Sequence, residues 1–152
     1  MGRSQMITII EGADATGKTT MAKYLASKTN ATYLHASHPT SPNYIDEYIK
    51  PINSLNMVLD RWHIGEVIWP TIYNRESLFT EEDFDLCNWE LATLGVNLIV
   101  LVRHEDKIVD ELLRRGEEKE VDIVLHAQEL FMQTFKQIKY LNKKLIQSEV
   151  LF

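Results

Sequence analysis

Short runs of apolar and β-branched residues alternate along the chain with longer segments whose apolar residues recur every three or four positions. The short runs predict β-strands, and the longer segments predict amphipathic helices. Strands are predicted at residues 6–11, 31–36, 56–62, 97–102 and 146–151. Because strands and helices alternate, we expect an α/β fold with a parallel five-stranded sheet flanked by helices on both faces.

The longer segments predict helices at residues 18–28, 43–50, 80–95, 106–115 and 121–145. The third of these begins at Thr80, which forms a capping-box pattern with Asp83 and so marks a helix N-terminus. In the last helix a single polar residue, Gln128, interrupts the apolar stripe. The spacing of that stripe predicts one long amphipathic helix that continues to Leu145.

Length and composition indicate one domain, residues 1–152, with one core. No apolar run approaches the roughly 20 residues of a membrane-spanning helix, and residues 1–5 lead straight into the first strand, so we expect no membrane partner and no secretory signal. The single cysteine, Cys87, cannot form an internal disulfide, and a reducing cytoplasm is the simplest compartment. The net charge of −6 argues weakly against a protein that grips nucleic acid over a broad surface.

The segment between the first strand and the first helix, residues 12–19, reads GADATGKT and matches the phosphate-binding pattern G-x-x-x-x-G-K-[ST]. Its glycines let backbone N–H groups point at phosphate oxygens, and the following helix adds its N-terminal partial charge. Lys18 is expected to reach the β and γ phosphates, and the Thr19 hydroxyl to bind Mg²⁺. We therefore predict that ATP and Mg²⁺ are bound by Gly12, Ala13, Asp14, Ala15, Thr16, Gly17, Lys18, Thr19 and Thr20.

Two charged clusters follow the third and fourth predicted strands, at the sheet edge where parallel sheets bind ligands. Asp60 is predicted either to hold Mg²⁺ through a water or to accept a proton from the attacking hydroxyl. Arg61 is predicted to clamp an acceptor phosphate or the phosphoryl group in transfer. Arg114 and Arg115 lie in a charged segment near residues 104–120, which is predicted to close over the phosphates as a lid.

The class of phosphate-loop protein follows from what else the sequence contains. It has no guanine-reading N-K-x-D motif, and it is short for a motor or transporter ATPase. A chain of this length has room for a sheet, a lid and an acceptor pocket, which is the layout of a small-molecule kinase. The alternative is a non-catalytic nucleotide-binding regulatory module.

The chain resembles the thymidylate kinase family in the loop sequence IEGADATGKTT at residues 10–20, in DRW at residues 60–62 and in the lid arginines. The order of elements agrees over nearly the whole chain, although typical members are longer. Residues 60–75 look more like small thymidylate-kinase-like proteins of bacteriophages. One such subgroup phosphorylates 5-hydroxymethyluracil in phage DNA as a step in DNA modification, which would place this protein in a host cytoplasm.

The resemblance implies roles for individual residues. Asp14 would contact the sugar hydroxyl of the acceptor, and Arg61 the acceptor phosphate or the phosphoryl group in flight. Some family members carry a catalytic arginine in the loop at the position of Ala15. Its absence here implies that Arg114 or Arg115 supplies the positive charge from the lid.

Two departures from the family pattern bear on the acceptor. The sequence HASHP at residues 35–39 replaces the family's Arg-Glu-Pro, and the positions of the thymine-holding Ser and Gln are Gly65 and Pro70. The acceptor is therefore predicted to be either a free pyrimidine nucleotide, such as dTMP or 5-hydroxymethyl-dUMP, or the 5-hydroxymethyluracil base in DNA. The sequence is also compatible with a homodimer. The residues predicted to contact the acceptor are Asp14, His35, His38, Arg61, Trp62, His63, Glu66, Trp69 and Tyr73.

Overall fold

The computed structural model describes residues 6–37 and 39–148. Its centre is a sheet of five parallel strands in the order β2-β3-β1-β4-β5. The prediction of a parallel five-stranded sheet is confirmed. The strands are β1 (Met6–Gly12), β2 (Thr32–His35), β3 (Asn56–Asp60), β4 (Val96–Val102) and β5 (Asn142–Gln147).

Five α-helices and two short helical turns connect the strands. The turns are a π-helical segment at Ile45–Ile49 and a 3₁₀ segment at Glu118–Glu120. No helix in the described ranges is long and apolar enough to cross a membrane. The helices are α1 (Lys18–Thr29), α2 (Gly65–Ile72), α3 (Glu81–Thr93), α4 (Glu105–Arg114) and α5 (Val121–Gln137).

Alternation of side chains along the strands builds a separate core on each face of the sheet. Ile10 of β1 packs under α1 in a small cluster that includes Ala22. Its neighbour Ile9 points to the opposite face and joins the larger core with Leu91 of α3 and Phe131 of α5. The strands are therefore apolar on both faces, as expected of a parallel sheet covered by helices on both sides.

Several boundaries differ from the prediction. The third strand ends at Asp60 rather than at residue 62, and the largest differences lie after Gln137. The predicted long helix is wrong beyond Gln137, because Ile138 has extended backbone angles and Tyr140 has a φ of 74°. Leu145 belongs to β5, which begins at Asn142 rather than at residue 146. Leu145 lies four positions after Leu141, so it happened to continue the helical spacing of the stripe. The end of the predicted strand, residues 149–151, lies outside the described residues.

The helix α2 was not predicted. It has only eight residues and contains Pro70, so it offers no periodic pattern long enough to detect. The N-terminus of α3, in contrast, is confirmed in detail. The Thr80 hydroxyl accepts a hydrogen bond from the Asp83 N–H, and the Asp83 carboxylate accepts one from the Thr80 N–H, each at 3.0 Å.

Replacing Leu91 by alanine is expected to lower the free energy of unfolding by about 2 to 5 kcal/mol, because its side chain is fully buried in the larger core. Leu113→Ala in α4 is the matched control, since that side chain is 49% exposed. The control is expected to change stability by less than about 0.5 kcal/mol. Urea unfolding measures both values, and equal losses would contradict this assignment of the core.

Candidate active site

The phosphate-binding loop has the backbone conformation that its glycines allow. Gly12 has a φ of 152° and Gly17 a φ of 85°. A Cβ atom on Gly12 would lie 2.6 Å from the carbonyl oxygen of Leu101, so a larger residue cannot fit without moving backbone. Lys18 is buried, and its Nζ donates to the Gly12 carbonyl at 3.1 Å. Burial lowers the pKa of Lys18, with a further contribution from Arg61.

Arg103, the first residue after β4, connects the phosphate-binding loop to the end of that strand. Its Nη1 donates to the carbonyl of Ala15 at 2.9 Å. This bond fixes a strained point of the loop, because Ala15 has a φ of 63°. The buried side chain of Gln128 holds Arg103 in turn, since it bonds both the Arg103 N–H (2.9 Å) and its carbonyl (2.8 Å). The one polar residue in the apolar stripe of α5 thus positions an arginine on the loop.

The two predicted lid arginines lie in different surroundings. Arg115 Nη1 lies 3.5 Å from Asp14 Oδ1, which brings the end of α4 to the phosphate loop. Both arginines pair with Glu111 one turn back on α4, and the Arg114 side chain is 71% exposed. Of these two residues, only Arg115 contacts the loop directly.

A carboxylate and a hydroxyl meet beside the loop in a geometry that suits Mg²⁺. The Thr19 hydroxyl donates to Asp60 Oδ2 at 2.9 Å, and the Tyr33 hydroxyl donates to the same oxygen. The other oxygen of Asp60 is buried and has no hydrogen-bond partner within the described residues. Mg²⁺ prefers oxygen ligands, and it is usually held by one or two protein groups together with waters and substrate phosphates. Thr19 and Asp60 therefore fit the predicted metal site.

Glu11, at the end of β1, holds the turn that follows β3. Its Oε2 accepts hydrogen bonds from the backbone N–H groups of Trp62 (3.1 Å) and Ile64 (3.0 Å). Arg61, the first residue of this turn, has a φ of 61°. Its N–H donates to the Ile10 carbonyl of β1 at 3.1 Å. The Glu11 side chain is 1% exposed, and this burial raises its pKa to about 7.

A cavity of about 600 Å³, here called the front cavity, opens next to this turn and reaches Gly12 of the phosphate loop. It collects several of the predicted acceptor residues from β2, the 61–64 turn and α2. Its polar lining includes two arginines, Arg61 and Arg75. The predicted residues that line it are His35, Arg61, Trp62, Glu66, Trp69 and Tyr73.

The aromatic residues and histidines that were predicted to contact the acceptor have different outcomes. Trp62 is a buried wall rather than an open stacking surface, because it is 4% exposed and its indole N–H donates to the Tyr48 carbonyl at 3.0 Å. Trp69 and Tyr73 stack on each other, with ring centroids 6.2 Å apart and planes at 25°. His63 lies behind the turn, bonded to Asn88, and does not belong to the described lining of the front cavity. His38 lies outside the described residues.

No protein-family model matches the chain, and no curated protein matches its sequence. Several solved structures do resemble it. The YorR protein from Bacillus subtilis, in complex with phosphorylated GDP, matches with a TM-score of 0.81 at 17% identity, covering 94% of this chain and 86% of that one. Deoxyadenosine kinase from M. mycoides, with products dCMP and dCDP bound, matches with a TM-score of 0.58 at 15% identity, covering 95% and 91%. A gluconokinase from Sinorhizobium meliloti 1021 matches with a TM-score of 0.55 at 13% identity, covering 97% and 85%.

The chain has a P-loop kinase fold. Within this fold, the sequence reasoning missed three residues at the site: Glu11, Arg75 and Arg103. Gln128 was a usable signal for Arg103, because a buried amide in an apolar stripe requires partners. A glutamate in an otherwise apolar strand was a similar signal for Glu11. Arg75 lies in an irregular segment whose course no local pattern predicts.

The variant Glu11→Gln tests the buried carboxyl group. A pKa raised to about 7 means that the folded protein retains this proton while the unfolded chain has already lost it. The stability that Glu11 contributes is therefore present at low pH and falls as pH rises through about 7. Between pH 5 and pH 8, the free energy of unfolding of the native protein should fall by about 2 to 3 kcal/mol relative to Glu11→Gln. Urea unfolding at several pH values measures this, and parallel curves for the two proteins would contradict it.

Proposed function

We propose that the protein is a kinase that transfers the γ-phosphoryl group of ATP to a thymidine-like pyrimidine acceptor. The observation that carries the proposal is the meeting of three parts at one sheet edge. A phosphate-binding loop, a buried Asp60 bonded to Thr19, and a cavity lined by Arg61 all lie at the carboxyl ends of β1 and β3. Parallel sheets bind their ligands there.

In this proposal ATP binds to the loop and the acceptor to the front cavity. Lys18 and the backbone N–H groups of the loop hold the β and γ phosphates. A bond then forms between an acceptor oxygen and the γ-phosphorus while the bond to the β,γ-bridging oxygen breaks, and ADP leaves. A phosphate acceptor reacts as its anion, whereas a hydroxyl acceptor would pass its proton to Asp60. Mg²⁺ held near Thr19 and Asp60 would neutralise phosphate charge. Arg61 and Arg115 would offset the charge that develops on the transferring group from either side.

The lining of the front cavity bears on the choice of acceptor. Two arginines, Arg61 and Arg75, suit an acceptor that carries its own phosphate. Trp69 and Tyr73 provide aromatic surface for a base, and Glu66 provides a buried acceptor of hydrogen bonds. Two of the structural neighbours were determined with nucleotides bound, which agrees with a nucleotide ligand. A free pyrimidine nucleotide is therefore the first choice, and 5-hydroxymethyluracil in DNA is the second.

An acceptor panel with γ-labelled ATP tests the proposal. Label is expected to move to dTMP or 5-hydroxymethyl-dUMP, and the variant Lys18→Met is expected to lose this transfer because it lacks the phosphate-binding cation. A duplex containing 5-hydroxymethyluracil is the third member of the panel. Label on this duplex alone would select the DNA acceptor. Binding of ATP without transfer to any of the three would favour the regulatory module instead.

The neighbouring residues Arg114 and Arg115, at the end of α4, provide a matched pair of variants that tests the proposed lid. Arg115→Ala is expected to lower kcat on the order of 10²-fold, because Arg115 reaches the phosphate loop. Arg114→Ala removes only an exposed pair with Glu111 and is expected to leave kcat nearly unchanged. Steady-state kinetics with the best acceptor of the panel measure both. An equal loss in the two variants would contradict the separate placement of these residues.

A further inference from the structure

The helix α2 separates the front cavity from a second cavity of about 680 Å³, here called the rear cavity. The side chains of Trp69 and Tyr73 face the front cavity. Those of Val67, Thr71 and Asn74 face the rear cavity, on the opposite side of the helix. The rear cavity is thus bounded by α2 on one side, and α3 and the end of α5 complete it.

A buried histidine with an unused nitrogen lines the rear cavity. His63 is 2% exposed, and its Nε2 lies 2.6 Å from Asn88 Oδ1. Burial lowers the pKa of His63 to about 4, so the ring is neutral near pH 7. With Nε2–H donating to the Asn88 carbonyl oxygen, Nδ1 is an acceptor. Neither His63 Nδ1 nor Asn88 Nδ2 has a hydrogen-bond partner in the part of the chain that the structure describes.

The walls and rim of the rear cavity restrict the kind of ligand. Aromatic rings form the inner wall, with the centroids of Tyr48 and Phe79 5.7 Å apart and Phe84 beside His63. Flat, weakly polar compounds pack well against such rings. Its carboxylates outnumber its cations, and this disfavours a phosphate group. The charged residues of the lining are Glu66, Glu81, Asp83, Asp85, Arg75 and Lys139.

We propose that the rear cavity is a binding site for an uncharged planar heteroaromatic compound of nucleoside size whose ring N–H donates to His63 Nδ1. Its volume lies in the range of small-molecule sites. A ligand there would contact α2, whose other face lines the front cavity. Glu66 and Arg75 line both cavities. The proposal concerns only ligand binding in the rear cavity, so it does not depend on the proposed phosphoryl transfer.

Uridine is a suitable probe, because it is uncharged and its N3–H is flanked by two carbonyl groups. Isothermal titration calorimetry should give a dissociation constant on the order of 0.1 to 1 mM. 3-Methyluridine, which lacks the N–H, should bind about tenfold more weakly, as expected for one lost buried hydrogen bond. No heat from uridine, or equal affinity for uridine and 3-methyluridine, would overturn the proposal.

Variants assign the binding to one of the two cavities. The double variant His63→Phe/Asn88→Leu removes both unpartnered polar groups while keeping similar side-chain volumes, and it should lose the preference for uridine over 3-methyluridine. Thr71→Trp places a large exposed side chain at the rear cavity and should weaken uridine binding. Ser37→Trp is the matched change at an exposed residue of the front cavity and should leave uridine binding intact. Loss of binding in Ser37→Trp, with both rear variants unaffected, would overturn the proposal. Binding of ATP to the phosphate loop confirms that each variant is folded.

Discussion

The arrangement of the site depends on one buried carboxylate, Glu11, and on the backbone it holds. Its Oε2 accepts the N–H groups of Trp62 and Ile64, so the end of β1 and the turn after β3 form one rigid unit. This unit keeps Arg61 in a left-handed conformation that a non-glycine residue adopts at a cost of about 1 to 2 kcal/mol. Without Glu11, two buried N–H groups would lose their partner, and the direction of the Arg61 side chain would no longer be determined.

Strand register explains why two carboxylates at the same sheet edge have different tasks. Ile10 pairs with Asp60 across β1 and β3, and Glu11 is the next residue along β1. Because successive side chains of a strand point to opposite faces, Asp60 faces α1 and bonds Thr19, whereas Glu11 faces the turn and the front cavity. One carboxylate thus lies beside the phosphate-binding loop and the other beside the front cavity. Lys18 lies between them and is influenced by the charge of both.

The helix α4 is connected to the phosphate-binding loop near both of its ends. Arg103 bonds the Ala15 carbonyl where α4 begins, and Arg115 approaches Asp14 where α4 ends. Gln128 makes the first contact rigid by bonding both backbone groups of Arg103, whereas the second is a longer and half-exposed ion pair. The first contact is therefore suited to fixing the loop. The second would cost little to break, because it is exposed to solvent.

The sequence by itself determined the elements whose signal is local: the phosphate loop, the parallel strands, the capping box at Thr80 and the α/β order. These rest on backbone sterics and short-range periodicity, which neighbouring residues encode directly. Only the tertiary structure decided which side chains meet. The link between Glu11 and Ile64 spans 53 positions and that between Ala15 and Arg103 spans 88. The end of α5 was also decided by the sheet, because Leu145 fits a helical stripe and a strand equally well until β4 offers a partner. Packing also decides which residues of α2 face each cavity, and it places His63 away from the front cavity. No local pattern in the sequence predicts either result.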